Sequence, residues 1–201
     1  MIVYQMLPRL WGNACDHPVP GGSLRENGCG KFSAVDDVTL GYLRDDLKVT
    51  HVWYTGVVRH ATTESFEGCP SVNPQIVKGR AGSPYAIVDY YDVNPYLADN
   101  PLKRMDEFES LLKRTHDAGM KVLIDFVPNH VSRAYGKSGL CSDVPPLGAS
   151  DDCTMHWRPD NDFFYYPGQA LSLPVPGNYY EYPAKASGNC FSPAPGVDDW
   201  Y

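Results

Sequence analysis

Lys121–Val122–Leu123–Ile124–Asp125–Phe126–Val127–Pro128–Asn129–His130 is the stretch on which the reading of this chain turns. Lys121 to Val127 is nearly continuous apolar sequence, the pattern of a parallel strand buried on both faces. Pro128 ends it, because proline has no N–H to offer a ladder. A carboxylate inside such a run costs several kcal/mol to desolvate unless it is paired or sits at an opening. Asp125 lies near the C-terminal end of the run, the end at which α/β folds gather ligands. Asn129 and His130 follow just past the proline, so an acid, an amide and an imidazole share one rim. The residues alone also allow a plainer reading, in which Asp125 caps a neighbouring backbone and His130 is a satisfied, half-buried ring.

Immediately upstream, the sequence from Lys103 to Ala118 carries Met105, Phe108, Leu111, Leu112 and Thr115 on one helical stripe, with charged residues opposite. Gly119 supplies its stop. At the start of the chain, Ile2 to Leu7 is a short β-prone run closed by Pro8. A Gly/Pro/Asn-rich loop from Gly12 to about Gly30 follows. Val35, Val38, Leu40, Leu43 and Leu47 then predict a helix with Ser33 as its N-cap. Thr50 to Thr55 reads as a second strand. Arg59 to about Asn94 has no clean period and is dense in Gly, Pro, Ser and Tyr, so it reads as a long, ordered, functional loop. Strand, helix, strand, loop, helix, strand is an α/β order with right-handed parallel crossovers. From Val131 onward the composition shifts to Pro, Gly, Asp and Tyr, marking a second, loop-dominated region. The expected division is 1–130 and 131–201.

Composition narrows the function classes. Seventeen Lys+Arg against 24 Asp+Glu give a net charge of −7 with no basic run, which argues against phosphate-backbone binding to nucleic acid. No apolar stretch nears the roughly 20 residues of a membrane helix. The opening residues lack the pattern of a secretory leader. A complete barrel of eight strand–helix units takes roughly 250 residues, more than the 201 here. The six cysteines include no C-x-x-C pair, which removes the usual zinc and redox motifs. Cys141 and Cys153 bracket a short loop and form the best disulfide candidate, with free thiols as the alternative.

Asp125–Phe126–Val127–Pro128–Asn129–His130 resembles the D-x-V-x-N-H block of the α-amylase family of glycoside hydrolases. Three further stretches resemble that family in order and spacing: Val3 to Leu10, Ser83 to Tyr90, and Asp106 to Val122. The resemblance implies a partial (β/α)8 TIM barrel, its first three strand–helix units, followed by the start of an inserted, loop-rich domain. It implies the N-terminal part of an enzyme acting on α-glucosidic bonds of starch-like glucans by retaining double displacement. A transglycosylase or an α-glucosidase for short oligosaccharides fits equally, and a non-catalytic carbohydrate-binding or structural relative is the alternative. Tyr85 matches the tyrosine that packs on the sugar ring, and His130 the histidine bonded to one of its hydroxyls. Asp125 matches the supporting strand-end carboxylate, and Asn129 a ligand to a structural Ca²⁺. Pro84, Ser83 and Ala86 depart from the family pattern around Tyr85. The implied partner is an α-glucan or malto-oligosaccharide, and the parent enzyme is expected to be exported.

The nucleophile and acid/base of the family lie on later strands, so no catalytic residue is expected in this chain. Asp151, Asp152, Asp198 and Asp199 read as loop carboxylates, one or two of them joining Asn129 on calcium. Trp11, Trp53, Trp157 and Trp200 are candidate sugar platforms, although Trp53 lies in a strand and reads rather as core. Tyr165, Tyr166, Tyr179, Tyr180 and Tyr182 either line a polysaccharide groove or pack a region with few regular elements.

Overall fold

The computed structural model describes residues 1–136 and 144–169. In chain order its elements are β1 (Val3–Met6), α1 (Leu24–Asn27), α2 (Asp37–Gly41), β2 (His51–Tyr54), β3 (Val58–His60), β4 (Ile87–Val93), α3 (Arg104–Asp117) and β5 (Lys121–Ile124). β1, β2 and β5 form a parallel sheet with β2 in the centre. β3 and β4 form a separate antiparallel pair. The result is a partial α/β barrel-like arrangement, with no closed barrel among the described residues.

Strand alternation sorts the side chains of the parallel sheet. Met6, Val52 and Tyr54 face the helices and join Phe32, Leu40, Leu43, Phe108 and Leu111 in the main core. Gln5, Trp53 and Leu123, aligned in register, share the opposite face. The helical face is locked by polar contacts as well as packing. The Tyr54 hydroxyl pairs with Thr115 Oγ1 at 2.7 Å across the β2–α3 interface. Arg114 donates to the Phe32 carbonyl at 2.8 Å, fixing α3 to the turn ahead of α2. α3 is entered through a tight turn at Pro101–Lys103, and the Glu107 carboxylate accepts the backbone N–H groups of Asp99 and Asn100.

Several sequence expectations change here. The helix expected to start at Ser33 starts later, because residues 32–34 form a tight 3₁₀ turn and Asp36 is the N-cap, accepting from Thr39 N–H at 2.8 Å. Beyond Gly41 it widens into a π-type turn over Tyr42–Asp46, and Val38 faces solvent. The supposed loop 59–94 contains two strands. Their alternation is hidden because Arg59, His60, Asp89 and Asp92 are all buried, and the pairing register shifts twice. The strand expected to be buried on both faces ends at Ile124, and Leu123, Ile124 and Phe126 are exposed. β5 lies at one edge of the sheet, and the helices cover a single face of it. Trp53 is half-buried on the sheet face away from the main core, so it is not a core residue. Cys153 carries a free thiol, so the Cys141–Cys153 bridge is not formed; Cys141 itself lies outside the described residues. Among the described cysteines, Cys69 is disulfide-bonded, while Cys15, Cys29 and Cys153 are free. Trp200, Tyr179, Tyr180, Tyr182, Asp198 and Asp199 also lie outside the described residues.

The β3–β4 pair is tied to α3 by a buried ion pair. Arg104 Nε and Nη2 grip both Asp92 carboxylate oxygens at 2.7–3.0 Å, and the Asp92 side chain is 1% exposed. Such a pair adds little net stability over an apolar substitute, yet breaking it leaves a buried charge without its partner. Arg104→Met is therefore expected to cost about 3 kcal/mol, measured as a drop in urea-unfolding free energy of the chain. Replacing the exposed Lys113, paired with Asp117 on the helix surface, should change it by less than about 0.5 kcal/mol.

Candidate active site

The C-terminal ends of the three parallel strands carry the site. Asp125 sits one residue beyond β5 and reaches across to β2. Its Oδ1 accepts Trp53 Nε1–H at 2.5 Å, and its Oδ2 accepts the backbone N–H of Gly56 at 3.0 Å. Beside them, Gln5 donates to Thr55 Oγ1 at 2.8 Å, joining the ends of β1 and β2. Gly56 is also where a fourth segment arrives. A Cβ built on Gly56 would lie 3.0 Å from Pro84 Cβ and 3.2 Å from Leu7 Cδ1, so a side chain there would crowd both segments, and its φ of +74° favours glycine as well. Pro84 brings Tyr85 to this rim, 46% exposed, with its N–H held by Ser83 Oγ at 3.3 Å.

The segment between Asp125 and His130 is held by β4. Tyr90 donates its hydroxyl to the Val127 carbonyl, and its ring lies 5.4 Å from that of Phe126. Asn129 and His130 are both exposed, with Asn129 Nδ2 and His130 Nδ1 3.3 Å apart. Asp125 is thus joined to Gly56 and the Tyr85 loop, and His130 to Asn129. No hydrogen bond links Asp125 with His130. Asp125 does cap a neighbouring backbone, while His130 is an open, solvent-facing ring. Such an arrangement can do two things chemically. An exposed phenol ring offers a face to the CH side of a sugar, and an exposed imidazole and amide offer hydrogen bonds to hydroxyls.

The carboxylates of the later region are committed to their own loop. Asp151 accepts from Asp162 N–H, Phe163 N–H and the Tyr165 hydroxyl, the last at 2.8 Å. Asp152 accepts from Thr154 and from Arg158 at 3.1 Å. Tyr165 is buried and packs this region, whereas Tyr166 is exposed beside the His156 ring, 4.5 Å between centroids. Trp157 is exposed too, and Trp11 packs edge-on against Tyr4. Among the described residues no three His, Cys, Asp or Glu side chains are placed to share a metal ion.

The model of the α-amylase catalytic domain matches residues 25–181, well over half of the chain. The chain belongs to the α-amylase family. Among curated relatives, the cyclomaltodextrin glucanotransferase of Bacillus sp. (strain 1-1) is 27% identical over 142 residues, 66% of this chain and 18% of that protein. The Homo sapiens amino acid transporter heavy chain is 40% identical over 48 residues, 24% of this chain and 6% of that protein. Among solved structures, an α-amylase from Lactobacillus plantarum shows 26% identity and a TM-score of 0.45, covering 67% of this chain and 24% of that one. The chain spans about a fifth of the length of the glucanotransferases it matches, 18% and 22%.

Behind the rim of this α-amylase-family chain lies a buried polar cluster that the sequence analysis missed. His60 is fully buried. Its Nδ1 lies 2.7 Å from Asn94 Nδ2, which can only donate, and its Nε2 lies 3.1 Å from the Ala81 carbonyl, which can only accept. Nδ1 also lies 3.3 Å from the Val58 carbonyl, but the much shorter amide contact makes Nδ1 the acceptor, so the neutral ring is assigned its proton on Nε2. Tyr96 Oη also approaches Nε2, at 2.9 Å. Burial first, then the nearby Arg9 charge, pushes the His60 pKa down to about 3. Burial also raises the Tyr96 phenol above its ordinary range. The available signal was a histidine and an asparagine in a stretch without periodicity, which does not say that they meet.

His60 titrates at about 3 when folded and at 6.5 when unfolded. Between those values the unfolded chain holds the extra proton, so stability falls as pH drops from about 6.5 towards 3. His60→Gln should lower stability at about pH 7 and make the acid-side loss shallower. Urea unfolding of both proteins at about pH 7 and about pH 4.5 checks this; parallel pH slopes would disprove it.

Proposed function

We propose that residues 1–130 form the first three strand–helix units of a (β/α)8 barrel, and that 131–201 begin a domain inserted after the third strand. The observation that carries the reading is the strand-end rim: Asp125 held by Trp53 and Gly56, with the Tyr85 loop packed on that same glycine. The parent protein acts on α-glucosidic bonds of starch-like glucans. Tyr85 packs on the sugar ring, His130 bonds one of its hydroxyls, and Asp125 supports the rim from below. Family membership supports the carbohydrate chemistry; the name of the glucanotransferase relative supports the α-glucan.

Bond cleavage with retention needs a nucleophile and an acid/base, roughly 5–5.5 Å apart. The described carboxylates of the later region are consumed by loop hydrogen bonds, and Asp125 is committed to Trp53 and Gly56. In this reading both catalytic carboxylates lie on later strands of the parent protein, as the family resemblance implies. This chain contributes binding and orientation of one sugar, and the covalent glycosyl-enzyme forms on a residue beyond it.

A second reading has its own support. The 48-residue match at 40% identity is to an amino acid transporter heavy chain, a protein named for transport and not for glycoside hydrolysis. In that reading the parent keeps the barrel rim and binds carbohydrate, or serves a structural role, without turnover. Asn129, whose amide oxygen is a hard ligand suited to Ca²⁺, would serve a structural ion in either case. The parent is assigned to an exported location.

Reducing-sugar release from soluble starch separates the two readings. The longer protein that contains this chain is expected to be active, and residues 1–201 alone to release none, since losing acid catalysis by itself costs about 10²–10⁴-fold. Tyr85→Ala or His130→Ala in the longer protein should lower kcat by roughly ten- to a hundredfold. Retention on a starch column without turnover would favour the binding relative. For the metal, Ca²⁺ should raise the Tm of the longer protein relative to chelator, and Asn129→Ala should remove that rise. A Tm indifferent to calcium would sink the assignment.

A further inference from the structure

The loop that carries Tyr85 is gripped from behind by side chains on two other elements. Arg9, just past β1, donates Nη1 to the Gly82 carbonyl at 3.2 Å and more weakly to the Ala81 carbonyl at 3.4 Å. His60, the last residue of β3, donates Nε2–H to the Ala81 carbonyl at 3.1 Å. From the other side the loop backbone presses on β3: a Cβ built on Gly82, at φ +74°, would sit 1.8 Å from the Ala61 carbonyl oxygen. Pro84 then abuts Gly56, the same residue that donates to Asp125.

We propose that Arg9 and His60 are positioning residues for Tyr85, forming a clamp that sets the height of its ring above the strand-end rim. The inference rests on the proposed role of Tyr85 in sugar binding, and it adds the residues that make that role specific. Tyr85 itself has an exposed side chain and one local hydrogen bond. On its C-terminal side the segment is tied down, because the Ala86 carbonyl accepts Ala61 N–H at 3.0 Å and Ile87 begins β4. The clamp fixes the N-terminal side, through the carbonyls three and four residues before Tyr85. His60 is in turn oriented by Asn94, whose Oδ1 accepts His60 N–H at 3.2 Å while its Nδ2 donates to the ring. The chain of contacts therefore runs Asn94, His60, Ala81, Tyr85. Arg9 adds a second grip from the first strand, so ring placement is referred to both the parallel sheet and the β3–β4 pair. Because proximity effects fall steeply with misplacement near 1 Å, such a clamp acts on sugar recognition without touching the sugar.

Amide hydrogen exchange on residues 1–201 tests the grip directly. Arg9→Gln should speed exchange at Tyr85 and Ala86 by about tenfold or more, leaving the β1–β2–β5 ladder protected. Equal loosening of ladder and loop, or no loosening of the loop, would overturn the proposal. Should Arg9→Gln not fold, Arg9→Lys keeps the charge but removes the guanidinium fork that reaches the Ala81 and Gly82 carbonyls, and the same criterion applies. In the longer protein, Arg9→Gln should lower kcat/KM by about tenfold with Tyr85 present, mainly through kcat as Tyr85→Ala does, and by less than about twofold in the Tyr85→Ala background. The same loss in both backgrounds would show that Arg9 does not act through Tyr85. Selective loosening in a longer protein that turns over no glucan would support the clamp and count against the catalytic reading instead.

Discussion

Trp53 and Tyr54 are consecutive residues of the central strand, so their side chains leave the sheet on opposite faces, and each ends in a hydrogen bond. Tyr54 reaches Thr115 on α3, and Trp53 reaches Asp125 at the end of β5. One residue fastens the helical layer to the sheet; the next fastens the rim. Both bonds are long-range in sequence, and both belong to the strand that the other two flank. The rim inherits its rigidity from that arrangement, because Asp125 is held by the same strand that anchors the core.

Around this axis the chain solves a polar problem inside an apolar scaffold. The β3–β4 pair buries Arg59, His60, Asp89, Asp92 and Asn94, an unusual load for two short strands. Buried polar groups cost free energy unless they are bonded. Asp92 is met by Arg104, and His60 by Asn94 and the Ala81 carbonyl. The charged part of this cluster ties the pair to α3, and the neutral part reaches the loop leading to Tyr85. Stability and site geometry thus share one set of contacts, so substitutions in the pair are felt at the rim.

The sheet face away from the main core is the open one. Val3 and Leu123 lie on it and are exposed, and at the end of β5 Ile124, in register with Tyr54, and Phe126, 68% exposed, are open as well. Apolar surface of this kind on strand ends and edges favours further association. It sits beside the rim that holds Asp125, so what covers that face also shapes the site.

The α/β order, the three parallel strands, the helix ending at Gly119 and the family were legible in the residues. Each rests on local signals: short β-prone runs, one clear amphipathic stripe and a motif written in consecutive positions. The strand-end placement of Asp125 was legible for the same reason. Hidden from the sequence were the β3–β4 pair, the widened turn after α2, the free thiol of Cys153 and the uncovered face of β5. Trp53 shows why. Its strand was readable, but which face it takes depends on where the helices pack, and its partner lies 72 residues away. His60 and Asn94 give the same lesson, since a buried imidazole looks like any other histidine until its two nitrogens meet their partners. Periodicity and motif are local properties of the chain and were determined by the sequence itself. Burial, charge pairing and the grip on Tyr85 arise between distant segments, and only the tertiary structure decided them.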